Sequence, residues 1–105
     1  MSIESFDLML CDLYQMDVWY PSRFKQKSNF YRASYSIWAI DELKRYIADG
    51  LYPKRSGSID EFLKLTMDFH NLMVKYSKIR PDNNLMFSVA RDITADVLDT
   101  LRAMK

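Results

Sequence analysis

Apolar residues return along this chain at steps of three and four, the spacing that holds them on one side of an α-helix. Ile3, Phe6, Met9, Leu10, Leu13 and Met16 make the first such stripe, with Glu4, Asp7 and Asp12 largely off it. They predict a helix over about 3–17. Ser2 offers an oxygen to the first free amides, and Glu4 suits the positive end of the helix dipole. Pro21 disfavours helix at Tyr20, so Val18-Trp19-Tyr20-Pro21 closes the segment.

A second helix is predicted over about 30–49, with Ser28 or Asn29 as its cap. Ala33, Ile37, Ile40, Leu43 and Ile47 form one apolar face, while Tyr31, Tyr35 and Trp38 form another. A helix apolar around more than half its circumference lies centrally in a small fold or presents a face to a partner. Asp41 and Arg45 have the spacing of an i,i+4 ion pair. Gly50 follows as a left-handed C-terminal cap.

The third helix, about 59–79, opens on Ser58-Ile59-Asp60-Glu61, the pattern of a reciprocal capping box. Phe62, Leu65, Phe69, Leu72, Met73, Tyr76 and Ile79 give it a buried face. Arg80-Pro81-Asp82-Asn83 interrupts the pattern, because proline cannot continue a helix and Asp82 or Asn83 can cap the next. The fourth helix, about 84–104, carries Met86, Val89, Ala90, Ile93, Val97, Leu101 and Met104 as its stripe. Asp92, Asp96, Asp99, Arg91 and Arg102 fall off that stripe and should face water. The expected fold is therefore all-α, an antiparallel bundle of about four helices forming a single domain over residues 1–105. The pattern leaves open whether the bundle closes within one chain or across two.

Two glycines and three prolines in 105 residues agree with long helices and oppose a turn-rich β-sandwich. No apolar run approaches the ~20 residues of a membrane span, and no signal peptide is evident. Cys11 stands alone, so no intramolecular disulfide can form. Among Leu8, Met9, Leu10 and Leu13 it reads as a small buried hydrophobe. A reducing, cytoplasmic location is expected.

Fifteen basic residues balance fourteen acidic ones, so the chain as a whole has no general attraction for nucleic acid. Its charge is uneven, however. Residues 1–22 hold acids and no Lys or Arg, whereas residues 23–40 hold Arg23, Lys25, Lys27 and Arg32 and no acid. Tyr20, Phe24 and Tyr31 are interleaved with these cations. Such a run could track a single-stranded nucleic acid, cations on phosphates and rings on bases. The competing account is that Phe24 and Phe30 plug the bundle end, with the cations in water or against the acidic first helix. Lys54 and Arg55 add to the patch only if the second helix does not hold the two loops ~30 Å apart.

No catalytic, metal or cofactor constellation emerges. His70 is the only histidine, and Met67 stands three residues before it where a di-metal bundle would need glutamate. Cys11 and His70 lack any local signature of a nucleophile and base. The two glycines cannot form a phosphate-cradling loop. The junction from Lys78 to Asn84 invites a helix-turn-helix reading, but the acids that follow would repel phosphate. An enzyme is not expected.

Aromatic residues make up 14% of the chain, more than a small bundle buries comfortably. Tyr, Trp, Met and Arg are enriched at protein interfaces. Tyr31, Tyr35 and Trp38, within two turns of one face, are the candidate interface to a protein partner or to a second copy in a homodimer. Core packing is the competing role for them. The expected function is a non-catalytic interaction or regulatory protein of the accessory or inhibitor kind. The alternative is a nucleic-acid-associated protein using residues 20–32.

Overall fold

A computed structural model describes residues 1–14, 27–79, 82 and 84–105, with backbone alone for 14 and 27–33. Among the described residues there are four helices: α1 (Ile3–Tyr14), α2 (Lys27–Leu51), α3 (Ile59–Ile79) and α4 (Asn84–Ala103). The all-α antiparallel bundle is as expected, and α3 has the limits its sequence signals set.

Those signals operate as local hydrogen bonds. The Glu61 amide donates to Ser58 Oγ and the Ser58 amide to Glu61 Oε1, each at 3.1 Å. That amide holds the Glu61 carboxyl below the usual carboxylate range. At α1 the Ser5 amide donates to Ser2 Oγ at 3.0 Å. These caps satisfy amides that a helix start leaves without an intrahelical partner.

α3 and α4 form the most extensive pairing. Asp60 meets Lys105 (2.5 Å), His70 meets Thr94 (2.7 Å), and the Tyr76 and Phe87 rings lie 5.4 Å apart. Advancing along α3 thus means retreating along α4, an antiparallel seam. α2 is antiparallel to α3 as well, with Tyr46 against Phe69 at 5.6 Å. The edge-on contact of Trp38 with Phe87, at 5.9 Å and 76°, makes α2 and α4 run in the same sense. Phe62, Leu43, Val97 and Leu101 are fully enclosed where the three meet. Each is worth roughly 1.5–3 kcal/mol of burial.

α2 differs from expectation at both ends. It starts at Lys27, so Ser28 and Asn29 lie inside its first turn, and its cap position falls outside the described residues. At the other end Gly50 lies within the helix, which runs on to Leu51, and no glycine has a positive φ. Glycine serves there for a different reason. A Cβ at position 50 would come 2.5 Å from Leu65 Cδ2 and 3.2 Å from its Cγ, closer than packed atoms approach. Arg45 pairs with Glu42 at 3.5 Å in place of Asp41. Ile79 is exposed because it lies beyond the Tyr76–Phe87 contact, and Met104 because α4 has ended at Ala103.

The first residues of the chain are tied to the α2–α3 loop. Ser2 and Ser56 form an antiparallel bridge flanked by Ile3 N donating to Arg55 O (2.9 Å) and Gly57 N to Met1 O (2.9 Å). Arg55 reaches across to Glu4 with both Nη2 (2.6 Å) and Nε (3.1 Å). Phe6 then packs on Phe62, ring centroids 5.2 Å apart, and Leu10 follows it into the core.

Candidate functional site

The residues expected to carry an interface or a nucleic-acid site are placed as follows. Arg23 and Lys25 lie outside the described residues, as do the Val18–Pro21 break and Phe24. Lys27, Tyr31 and Arg32 belong to the first turns of α2, where only backbone is described. Tyr35 and Trp38 are half-buried and packed against the core, Trp38 on the Phe87 ring. Arg55, the loop cation that would have extended the basic run, is engaged by Glu4. Each member of that pair moves the other's pKa, Glu4 downward and Arg55 upward, through their shared hydrogen bond. At the α3–α4 junction, Arg80, Pro81 and Asn83 also lie outside the described residues.

His70 has a structural partner that sequence spacing does not suggest. Its Nδ1 lies 2.7 Å from the hydroxyl of Thr94, which is fully buried on α4. That hydroxyl also lies 2.9 Å from the Ala90 carbonyl and 3.0 Å from that of Arg91, where it can only donate. One hydroxyl has one proton, so when it goes to a carbonyl the imidazole is the donor, in the tautomer that carries hydrogen on Nδ1. Thr66, fully buried on α3, has no hydrogen-bond partner for its hydroxyl among the described residues. Among the described residues no three of His, Cys, Asp and Glu gather as metal ligands would. None of the helices is long and apolar enough to cross a membrane.

The unspent surface is on α1. The twelve residues of this helix carry two apolar stripes where the periodicity suggested one. Phe6 and Leu10 turn inward, with Ile3 and Met9 packed at the edge of the core. Leu8 is 67% exposed and Leu13 39% exposed. Cys11, expected to be buried, is exposed as well, because one residue's rotation of about 100° carries it off the narrow inward side that holds Leu10.

Ser5, Leu8, Met9, Asp12 and Leu13 line an open groove of about 500 Å³ together with Thr100 of α4. Their spacing is i, i+3, i+4, i+7, i+8, a full helical stripe. The bridge, the Glu4–Arg55 pair and the Phe6–Phe62 contact fix α1 at its opening turns, so its outward stripe is held in place rather than free to turn in. The signal for it was in the sequence: Leu8 fits no stripe that contains Phe6 and Leu10.

No known protein family, curated protein or solved structure matches this chain.

Proposed function

We propose that this chain is a non-catalytic helical protein-interaction module and that the outward stripe of α1 is its contact surface. The observation that carries the reading is the exposure of Leu8 and Leu13 at the two edges of one stripe on a helix whose other side is committed to the core. Water-facing leucines scattered singly need no explanation, but a helical stripe of them over a groove marks a place where another apolar surface is received. Binding without chemistry suits a groove lined by Leu, Met, Ser, Thr and one aspartate. The half-buried Tyr35 and Trp38 contribute to the bundle, so the proposed contact moves from the aromatic face of α2 to α1. A reducing, cytoplasmic setting is part of this proposal, resting on the single unpaired Cys11.

The test compares wild-type protein with the Leu8→Ser/Leu13→Ser variant as bait in the native host. Because neither side chain is buried, the variant should keep its helical signal and lose no more than about 1 kcal/mol of stability. We expect a bound protein to be retained by the wild type and lost by the folded variant. An identical set of bound proteins with both baits would contradict the proposal.

A further inference from the structure

We infer that the partner received by the α1 stripe is an amphipathic helix whose apolar side is flanked by lysine or arginine. The inference rests on the reading of α1 as a docking surface and adds the chemistry of what docks.

The shape of the surface selects a helix. Among the described residues no strand edge is open for an extended segment to join, so main-chain pairing has no template. The groove instead offers leucine and methionine at helical spacing, the surface into which the i, i+3, i+4, i+7 anchors of a second helix fit. From Ser5 to Leu13 the stripe is about 12 Å long, a little over two turns.

Charge selects the flanks. Three of the described cations at this end of the bundle are paired within the chain. Arg55 is held by Glu4 (2.6 Å), Arg102 by Asp99 (3.5 Å) and Lys105 by Asp60 (2.5 Å). Asp12 in the groove and Asp96, one turn before Thr100 on α4, are exposed and have no ion pair among the described residues. Acids on the rim draw a basic partner and repel an anionic lipid surface or a nucleic acid. It also disfavours a second copy seated two-fold, stripe on stripe, because Asp12 would then approach its own equivalent.

Two labelled peptides of about four helical turns decide the matter. Both carry leucine at i, i+3, i+4 and i+7, one with lysines flanking the stripe and the other with glutamates. Each is titrated into the full chain by fluorescence anisotropy, with the methyl resonances of Leu8 and Leu13 followed in parallel. We expect the lysine peptide to bind about tenfold or more tightly than its twin, an advantage that shrinks with salt and in Asp12→Asn/Asp96→Asn. Equal affinities, or a tighter glutamate peptide, with Leu8 and Leu13 still shifting, would overturn the basic flanks and leave the docking surface standing. Titrations that leave both methyl sets unmoved would overturn the docking surface itself. Concentration-dependent Leu8 and Leu13 shifts without peptide would assign the stripe to a second copy and overturn the inference.

Discussion

His70 and Thr94 join α3 to α4 through one hydrogen bond, 2.7 Å from Nδ1 to the hydroxyl. The Thr94 hydroxyl also faces the carbonyls of Ala90 and Arg91, and when its proton goes to one of them His70 Nδ1 is the donor between the two side chains. Thr94→Val would strand that donor in a half-buried site at a cost of about 1–3 kcal/mol. His70→Ala would leave the hydroxyl still donating to a carbonyl and should cost less. In a double-mutant cycle followed by urea unfolding we expect a coupling of about 1 kcal/mol. Additive losses would mean the contact contributes nothing. Thr66→Val should act in the opposite direction, raising stability by about 1 kcal/mol, because the hydroxyl it removes is buried with no partner among the described residues.

Gly50 is held by Leu65 rather than by a turn. Alanine is favoured over glycine inside a helix by up to about 1 kcal/mol. The added methyl, however, would sit 2.5 Å from one Leu65 methyl, 2.9 Å from the other and 3.2 Å from Cγ. Those methyls are the free end of a half-buried side chain beside open space, so Leu65 gives way and the clash offsets only part of that gain. Gly50→Ala should therefore stabilise the Leu65→Ala background more than it stabilises the wild type. Thermal melts of the four proteins test this; a loss of stability from Gly50→Ala in both backgrounds would place the cause elsewhere.

The Glu4–Arg55 pair gives α1 a component of acid sensitivity. Its hydrogen bond holds the Glu4 carboxyl below its ordinary value. The stabilisation is thus fully present above the unfolded carboxylate's pKa and is lost as pH falls through the lower, folded value. The stability difference between wild type and Glu4→Gln should be constant through neutral pH and shrink only in acid. Both partners are well exposed, so the difference should be small and should fall with added salt. A difference that grows on acidification would contradict this origin.

The parts of the fold that were legible in the sequence are those fixed by neighbours in sequence. The Ser58–Glu61 box and the Ser2 cap span three residues each, and α3 and α4 have regular apolar stripes. What escaped depends on residues distant in sequence. Gly50 matches a helix stop by type, and only the approach of Leu65 makes it a helix interior. Nothing near Thr94 marks it as the partner of His70. The bridge of Ser2 to Ser56 joins positions that no local pattern connects. α1 misled for another reason. Seven of its twelve residues, Ile3, Phe6, Leu8, Met9, Leu10, Cys11 and Leu13, are apolar or thiol-bearing, so one periodicity fits several stripes. Only packing on Phe62 shows which of them faces inward.

The central claim is that Leu8 and Leu13 are turned outward for a protein partner, and site-specific photo-crosslinking in the native host tests it most directly. A photoreactive side chain at position 8 is compared with one at the exposed Lys75 of α3. The account predicts a discrete protein adduct from position 8 and none from position 75. Equal adducts from both positions, or none from position 8 in a protein shown to be folded, would contradict it.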